Sequence, residues 1–333
     1  MNKKNETKEI STIKGRKPTL FCLKHDALYT IGIEVTNNSI HLALFNFIQD
    51  KIDTIVHDFD VNTIIADELA SLMAEKSKEL LKRNNIPMNK LVGLGIAGPG
   101  IIDTKNGIVL RNEYHNKMKD YNLVEKINEF INCQITLSNN TTAQAYYHYT
   151  NNKQYGKTLF TVVLRHDING AYIEDRKVFR DSKGYTVDVG HLIISPDGPL
   201  CKCGERGCLE SFIYNIEGKH DNEILMNLDQ LLTRDLSRLD YITSKIVDYL
   251  AVICKNAVRL FNPESLLILT KNEEIAKILK SKILKKYEQK VSRYQGDTPK
   301  NIYTGIYVIE YSQRAMSEQL LINHFSRIVK DFE

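Results

Sequence analysis

A chain of 333 residues ordinarily divides into two or three domains, and an apolar content of 42% is enough to fill their cores. The net charge of +4 is too small to point to nucleic acid by itself, and no apolar run approaches the length of a membrane span. The opening stretch MNKKNETKEISTIKGRK is charged throughout and lacks the apolar core of a secretory leader, so a cytoplasmic location is expected.

In chain order, YTIGIEV (29–35) and SIHLALFNFI (39–48) are β-rich runs separated by Thr36, Asn37 and Asn38, the pattern of a hairpin, with a third strand expected at 52–59. From Asn62 to Asn84, Ile65, Leu69, Leu72, Met73 and Leu80 recur among Lys and Glu, which predicts a helix ending before Pro87. LVGLGIAG (91–98) reads as a short apolar strand running into Gly98, Pro99 and Gly100. A helix at 123–131 and a strand at 134–137 follow. The second half is built in the same manner, with strands at 158–164 and 168–174, a cysteine-containing loop, a long helix at about 240–260, and the strand SLLILT (265–270). A basic helix follows at 272–290, its lysines read as a solvated face, then a strand at 302–309 and a closing helix at 313–330. No sequence repeat is visible, and the alternation is α/β in two lobes. On the closing helix, Leu320, Leu321, Phe325, Ile328 and Val329 suit either an interface or the lobe core, with core packing preferred.

Residues 190–210, GHLIISPDGPLCKCGERGCLE, hold one histidine and three of the six cysteines. His191, Cys201, Cys203 and Cys208 supply an imidazole and three thiols, the ligand set of a tetrahedral structural zinc. Gly204 and Gly207 let the loop fold back so that Cys208 faces the same point. The plainer readings are buried free cysteines beside a bystander histidine, or a disulfide with one thiol left over; ligand count, spacing and a reducing compartment favour the metal. Four protein ligands leave no position for water, so the zinc is expected to be structural. Cys22, Cys133 and Cys254 lie alone in apolar surroundings and read as small core residues.

The segment from His191 to Glu210 matches the signature of the ROK family (repressors, open reading frames and sugar kinases), GH followed at a distance by CxCGxxGCxE. The resemblance extends through IGIEVTNNSIHLAL, GLGIAGPGIID, SNNTTAQAYYH and VDVGH, in the family's order. It implies a two-lobed, actin-like (ribonuclease H-like) fold closing over a sugar, with ATP opposite it in the kinases. Transferred residue by residue, the sugar contacts become Gly98 in the glycine-rich loop, Asn139, Asn140, Asp188, His191 and Glu210. Carboxylates and amides around a cleft satisfy hydroxyls that both donate and accept. His191 would hold zinc by one ring nitrogen and turn the other to the sugar. Two plainer roles stand beside these: Asn139 and Asn140 as a helix cap, and Asp188 and Glu210 as supports that orient the metal loop. Asp188 is also one methylene shorter than the family's glutamate.

Four departures run in one direction. Asn140 stands where the kinases have an aspartate base, and a carboxamide takes up no proton at neutral pH. The phosphate loop D-x-G-G-T is replaced by Glu34, Val35, Thr36, Asn37 and Asn38, and the loop G-x-G-x-G-x-G by the stretch from Arg165 to Ala171. Thr270, Lys271 and Asn272 replace the adenosine-side glycines. Phosphate binding needs glycines that let backbone N–H groups approach the oxygens. ATP is therefore not expected.

The stretch STIKGRKPTLFCLKHDALYTIGIEV resembles the linker that joins a winged-helix DNA-binding domain to the sugar-binding core in the family's repressors. About 28 residues precede Tyr29, fewer than such a domain needs to bury a core. The expected division is a tail at 1–28, a first lobe at 29–138 with the closing helix 313–333 against it, and a second lobe at 139–312. The expected function is a catalytically silent, sugar-binding regulator core, with a sugar or sugar phosphate as ligand. The competing expectation is an ATP-dependent hexose or N-acetylhexosamine kinase. A zinc-ribbon nucleic-acid binder fits poorly, because the loop lies mid-chain without dense arginine and aromatic residues. The family implies a homo-oligomer, a dimer or tetramer, and DNA would be reached only through a further domain or a partner.

Overall fold

The computed structural model describes residues 24–112, 118–165, 167–181, 184–218, 223–226, 228–288 and 301–330. Strands β1 (Tyr29–Val35), β2 (Ser39–Asn46) and β3 (Lys51–Asp58) form an antiparallel meander. Helix α1 (Ala66–Arg83) leads to β4 (Leu91–Gly98), which pairs in parallel with β1. The short strands β5 (Ile101–Asp103), β6 (Ile108–Arg111) and β7 (Tyr121–Asn122) make a small sheet of their own ahead of α2 (Leu123–Phe130). Strand β8 (Gln134–Asn139) then completes a five-stranded sheet in the order β3-β2-β1-β4-β8.

Helix α3 (Asn140–Asn151) carries the chain to β9 (Thr158–Leu164), β10 (Ile168–Glu174) and β11 (Lys177–Val178). Beyond the cysteine loop come α4 (Leu209–Tyr214), α5 (Glu223–Met226), α6 (Leu228–Arg234) and α7 (Leu236–Phe261). The chain closes with β12 (Ser265–Thr270), α8 (Glu273–Glu288), β13 (Asn301–Ile306) and α9 (Ile309–Lys330). The second sheet runs β11-β10-β9-β12-β13 and repeats the first: an antiparallel meander, then two parallel strands. The duplication is one of topology, with no repeat in the sequence beneath it.

Burial follows the pairing. Central β4 and β12 are buried at every position, as parallel strands covered on both faces should be, whereas edge strand β3 leaves Ile52 and Val56 exposed. Helix α7 covers the second sheet with Leu239, Ile242, Ile246, Leu250 and Ile253, one stripe at helical spacing packed with Phe160, Leu266 and Ile268. Each such side chain stabilises by about 1.5–3 kcal/mol. Against the first sheet, α9 is seated on two glycines of the paired strands β1 and β4, Gly32 and Gly95. A Cβ at Gly32 would lie 2.1 Å from the Gln313 carbonyl oxygen, and one at Gly95 would lie 2.5 Å from that of Met316. The helix therefore approaches the sheet at backbone distance, and a larger residue at either glycine would lift it.

Some boundaries moved for identifiable reasons. Helix α1 starts at Ala66 rather than Asn62, because Asp60 turns the chain first, its carboxylate accepting from the Asn62 backbone at 2.9 Å. Helix α9 starts at Ile309 rather than Gln313, and β13 ends at Ile306, because Tyr307 leaves the sheet edge to reach across to β1. The lysines of α8 are not simply solvated. Lys282 reaches the Asp240 carboxylate of α7 at 2.6 Å, and Lys286 is hydrogen-bonded to Asp248. Of the five apolar residues singled out on α9, core packing holds fully for Leu320 alone. Phe325 and Ile328 are exposed, Phe325 resting against the Phe47 ring at 5.6 Å, because small residues and Met316 fill the glycine seat. The side chain of Val329 lies outside the described residues. Cys254 is buried and Cys133 half-buried, while Cys22 lies outside the described residues.

Candidate functional site

The cysteine loop is shaped by its backbone. Asp188 accepts from the His191 backbone N–H at 3.2 Å, starting a turn, and the Gly204 N–H donates to the Cys201 carbonyl at 3.0 Å, closing a tight one. Gly204 (φ +98°) and Gly207 (φ +79°) occupy left-handed backbone, and a Cβ at Gly207 would fall 1.6 Å from the Ser195 carbonyl oxygen. The folded loop brings one ligand atom each from His191, Cys201, Cys203 and Cys208 within 4.8 Å of one another. The His191 Nδ1 to Cys201 Sγ distance is 3.4 Å, and Cys203 Sγ to Cys208 Sγ is 3.6 Å. Zn–S bonds of about 2.3 Å and Zn–N bonds of about 2.0 Å require tetrahedral edges of roughly 3.5–3.8 Å. Two of the six edges lie close to these lengths, and the donor set suits a tetrahedral metal in its chemistry. Burial pushes the Cys201 and Cys208 thiols above their ordinary range, so a metal would bind with loss of their protons.

Next to this cluster a cavity of about 330 Å³ opens between the two sheets. From the second half come Asp188, His191 and Glu210, and from the first Gly100 and Asn139. His191 turns Nδ1 to the cysteines and Nε2 toward Glu210, 3.9 Å from Oε2. Glu210 is only 2% exposed, and its two oxygens are divided. Oε1 accepts from the Ile168 N–H at 3.2 Å and the Tyr214 hydroxyl at 2.6 Å, whereas Oε2 faces Lys202 Nζ at 3.3 Å. Asn139 caps α3, its Oδ1 accepting from the Thr141 N–H and its Nδ2 donating to the Gly100 carbonyl, both at 2.8 Å. Gly98 ends β4 opposite Asn139 and does not line the cavity. Gly100, in left-handed backbone at φ +97°, does so in its place, because the chain turns only after Pro99.

A second cavity, of about 500 Å³, lies on the opposite side of Asn139 and is lined by the β1–β2 turn, Asn140, Arg165 and Tyr307. Its side chains bind one another. In the turn, Thr36 and Ser39 hydroxyls bond at 2.7 Å. Glu34 is fully buried on β1 and accepts from the Tyr307 hydroxyl at 2.7 Å, with Arg165 at 3.9 Å from the same oxygen. The Arg165 guanidinium lies over the Tyr307 ring, 3.8 Å from its centroid. Burial pushes the Glu34 carboxyl up to about 7, and burial beside Glu34 holds the Tyr307 hydroxyl well above its usual range. Asn140 donates to the Val35 carbonyl at 3.1 Å, and its Oδ1 is buried without a partner among the described residues.

Of the residues expected at one site, the structure gathers His191, Cys201, Cys203, Cys208, Asp188, Glu210 and Asn139 around the first cavity but puts Asn140, expected among the sugar contacts, at the second; Arg111, Arg180 and Lys202 on the cavity wall were not anticipated. Lys202 was readable as the residue enclosed by the CxC spacing. Arg180 carried no such signal, since it follows a two-residue strand in an irregular segment.

Two topologically duplicated sheets with a His/Cys cluster beside their cleft define the actin-like, sugar-kinase class of fold. The chain belongs to the ROK family, whose model matches residues 30–307. It is 26% identical over 284 residues to the xylose repressor of Bacillus subtilis (strain 168), covering 76% of this chain and 67% of that protein. A crystal structure of a ROK family transcriptional regulator, a homologue of the Escherichia coli Mlc protein, superposes with a TM-score of 0.74 at 17% identity, over 89% of this chain and 79% of that one. The ROK hexokinase of Thermus thermophilus superposes with a TM-score of 0.71 at 15% identity, over 90% and 100%. The fold therefore serves regulators and kinases alike. Among the described residues, no helix is long and apolar enough to cross a membrane.

Proposed function

We propose that this chain is the sugar-sensing core of a transcriptional regulator, which binds a sugar or sugar derivative in the 330 Å³ cavity and has lost phosphoryl transfer. The observation that carries the reading is Asn140. It stands where a kinase needs a base, its amide is committed to the Val35 carbonyl, and a carboxamide cannot accept the sugar's proton. Across the second cavity, Glu34, Tyr307 and Arg165 engage one another where phosphate oxygens would need backbone donors. The xylose repressor likeness supports the regulator side of the choice.

In this account His191, Cys201, Cys203 and Cys208 hold zinc as a structural ion, which fixes the loop and leaves the His191 Nε2 edge and Glu210 at the cavity. The sugar would be bound by His191, Glu210, Asp188 and Asn139, and its binding would shift the balance between open and closed arrangements of a first lobe at 29–138 and a second at 139–312. Contact with DNA would come through a further domain or a partner, and the working form would be a cytoplasmic homo-oligomer. A kinase reading is favoured by one feature, the 500 Å³ cavity opposite the sugar site. ADP release decides between them. With ATP and a panel of hexoses and N-acetylhexosamines, neither the wild type nor Asn140→Asp is expected to release ADP above a boiled control. Release by the wild type would refute the loss of phosphoryl transfer.

A further inference from the structure

The 330 Å³ cavity is lined by three cationic side chains, Arg111, Arg180 and Lys202, and three carboxylates, Asp167, Asp188 and Glu210, but these are not paired one to one. Lys202 is neutralised within the wall, reaching Asp167 at 3.1 Å and Glu210 at 3.3 Å. Asp188 is engaged by the His191 backbone N–H. The two arginines are different. Among the described residues, no carboxylate forms an ion pair with Arg180 or with Arg111. Arg180 is half-buried and makes two hydrogen bonds, both at 3.2 Å, to the Gly184 carbonyl and the Ser138 hydroxyl at the end of β8. Among the described residues, three of its five N–H donors are left over. Burial without a compensating charge pushes Arg180 down to about 10.

The two arginines reach the cavity from different elements that meet there. Arg111 ends β6, whose partner β5 supplies Ile101 and Ile102 to the wall. Gly184, whose carbonyl accepts from Arg180, sits against Thr104 and Asp103 at the end of β5. The guanidinium of Arg180 is thereby tied to both halves of the molecule while facing the space between them. A desolvated, unpaired guanidinium is unfavourable in a purely neutral site, and its planar fork matches a carboxylate or phosphate.

We propose that the cavity is built for an anionic sugar, a sugar phosphate or a sugar acid, whose charged group is received by Arg180 with Arg111 beside it. The inference rests on the sugar-sensing reading and specifies its ligand class. The hydroxyls would lie toward His191 and Glu210, away from the two arginines. Because Arg180 bonds Ser138 of the first sheet from the second, an anion there would also draw the two halves together.

Calorimetric titration of the zinc-loaded chain with matched pairs tests this: glucose with glucose 6-phosphate and glucuronate, mannose with mannose 6-phosphate, and N-acetylglucosamine with its 6-phosphate. The charged member of at least one pair is expected to bind about tenfold more tightly than its neutral partner, and more so at low salt. Preference for the phosphates marks a sugar phosphate as ligand, and preference for glucuronate marks a sugar acid. Arg180→Met should reduce the ratio below about threefold. Arg111→Gln, at an exposed position, should reduce it in part and serves if Arg180→Met fails to fold. If neutral sugars bind as tightly as charged ones, the anion subsite is overturned and the sugar reading stands. If no sugar in the panel binds, both fall.

Discussion

The two cavities on either side of Asn139 differ in what their polar groups are doing. On the metal side, Glu210 gives Oε1 to Ile168 and Tyr214 and turns Oε2 to Lys202 and His191 at the cavity wall, while Arg180 and Arg111 face the cavity with no carboxylate partner among the described residues. On the far side, Glu34, Tyr307 and Arg165 engage one another, and the β1–β2 turn is closed by its own hydroxyls. The metal side keeps cationic donors in reserve, whereas the far side spends its charged groups on one another and leaves only two buried acceptors, Asn140 Oδ1 and Glu34 Oε2, without a partner among the described residues.

The largest expected effect breaks the support of the metal side. Cys203→Ser removes one of four ligands and should lower bound zinc and stability together, by on the order of 3–5 kcal/mol. Elemental analysis beside a thermal melt checks both, and unchanged zinc content would contradict the ligand assignment. On the other side, Glu34 tests whether that cavity is structural. Its folded pKa of about 7 lies above the ordinary 4.5, so the folded state favours the protonated carboxyl. The stabilisation is present in full below pH 4.5 and is lost as the pH rises through about 7. Glu34→Gln, which keeps the neutral form's shape, should therefore be more stable than wild type above neutrality by up to about 3 kcal/mol, with the gap closing on acidification. Denaturant melts across this range measure it; a gap that widens toward low pH would reverse the assignment. The smallest effect concerns Glu210. Glu210→Gln should weaken binding of the preferred sugar by about 1–2 kcal/mol and leave bound zinc unchanged, a separation that calorimetry and elemental analysis resolve.

How legible all this was in the sequence depends on distance along the chain. Strands such as 29–35, 91–98 and 158–164 are continuous apolar runs, and the structure returns them with those limits. The metal loop was legible because its ligands lie within eighteen residues and the glycines between them dictate the turn. The Glu34–Tyr307 bond was not, because its partners are 273 residues apart and meet only once both sheets are assembled. Arg180 was hidden for the same reason: its meaning lies in the charges that surround it in space. The shift from Gly98 to Gly100 was finer still, a matter of where a strand yields to a turn.

The contrast between a ligand-ready cavity and a self-satisfied one is tested most directly by a thermal-shift screen of the zinc-loaded chain with sugars, sugar phosphates and magnesium-ATP. Ligands that bind the folded state raise its midpoint. The account predicts that at least one sugar or sugar phosphate raises it and that magnesium-ATP leaves it in place. A rise with magnesium-ATP and none with any sugar would contradict it.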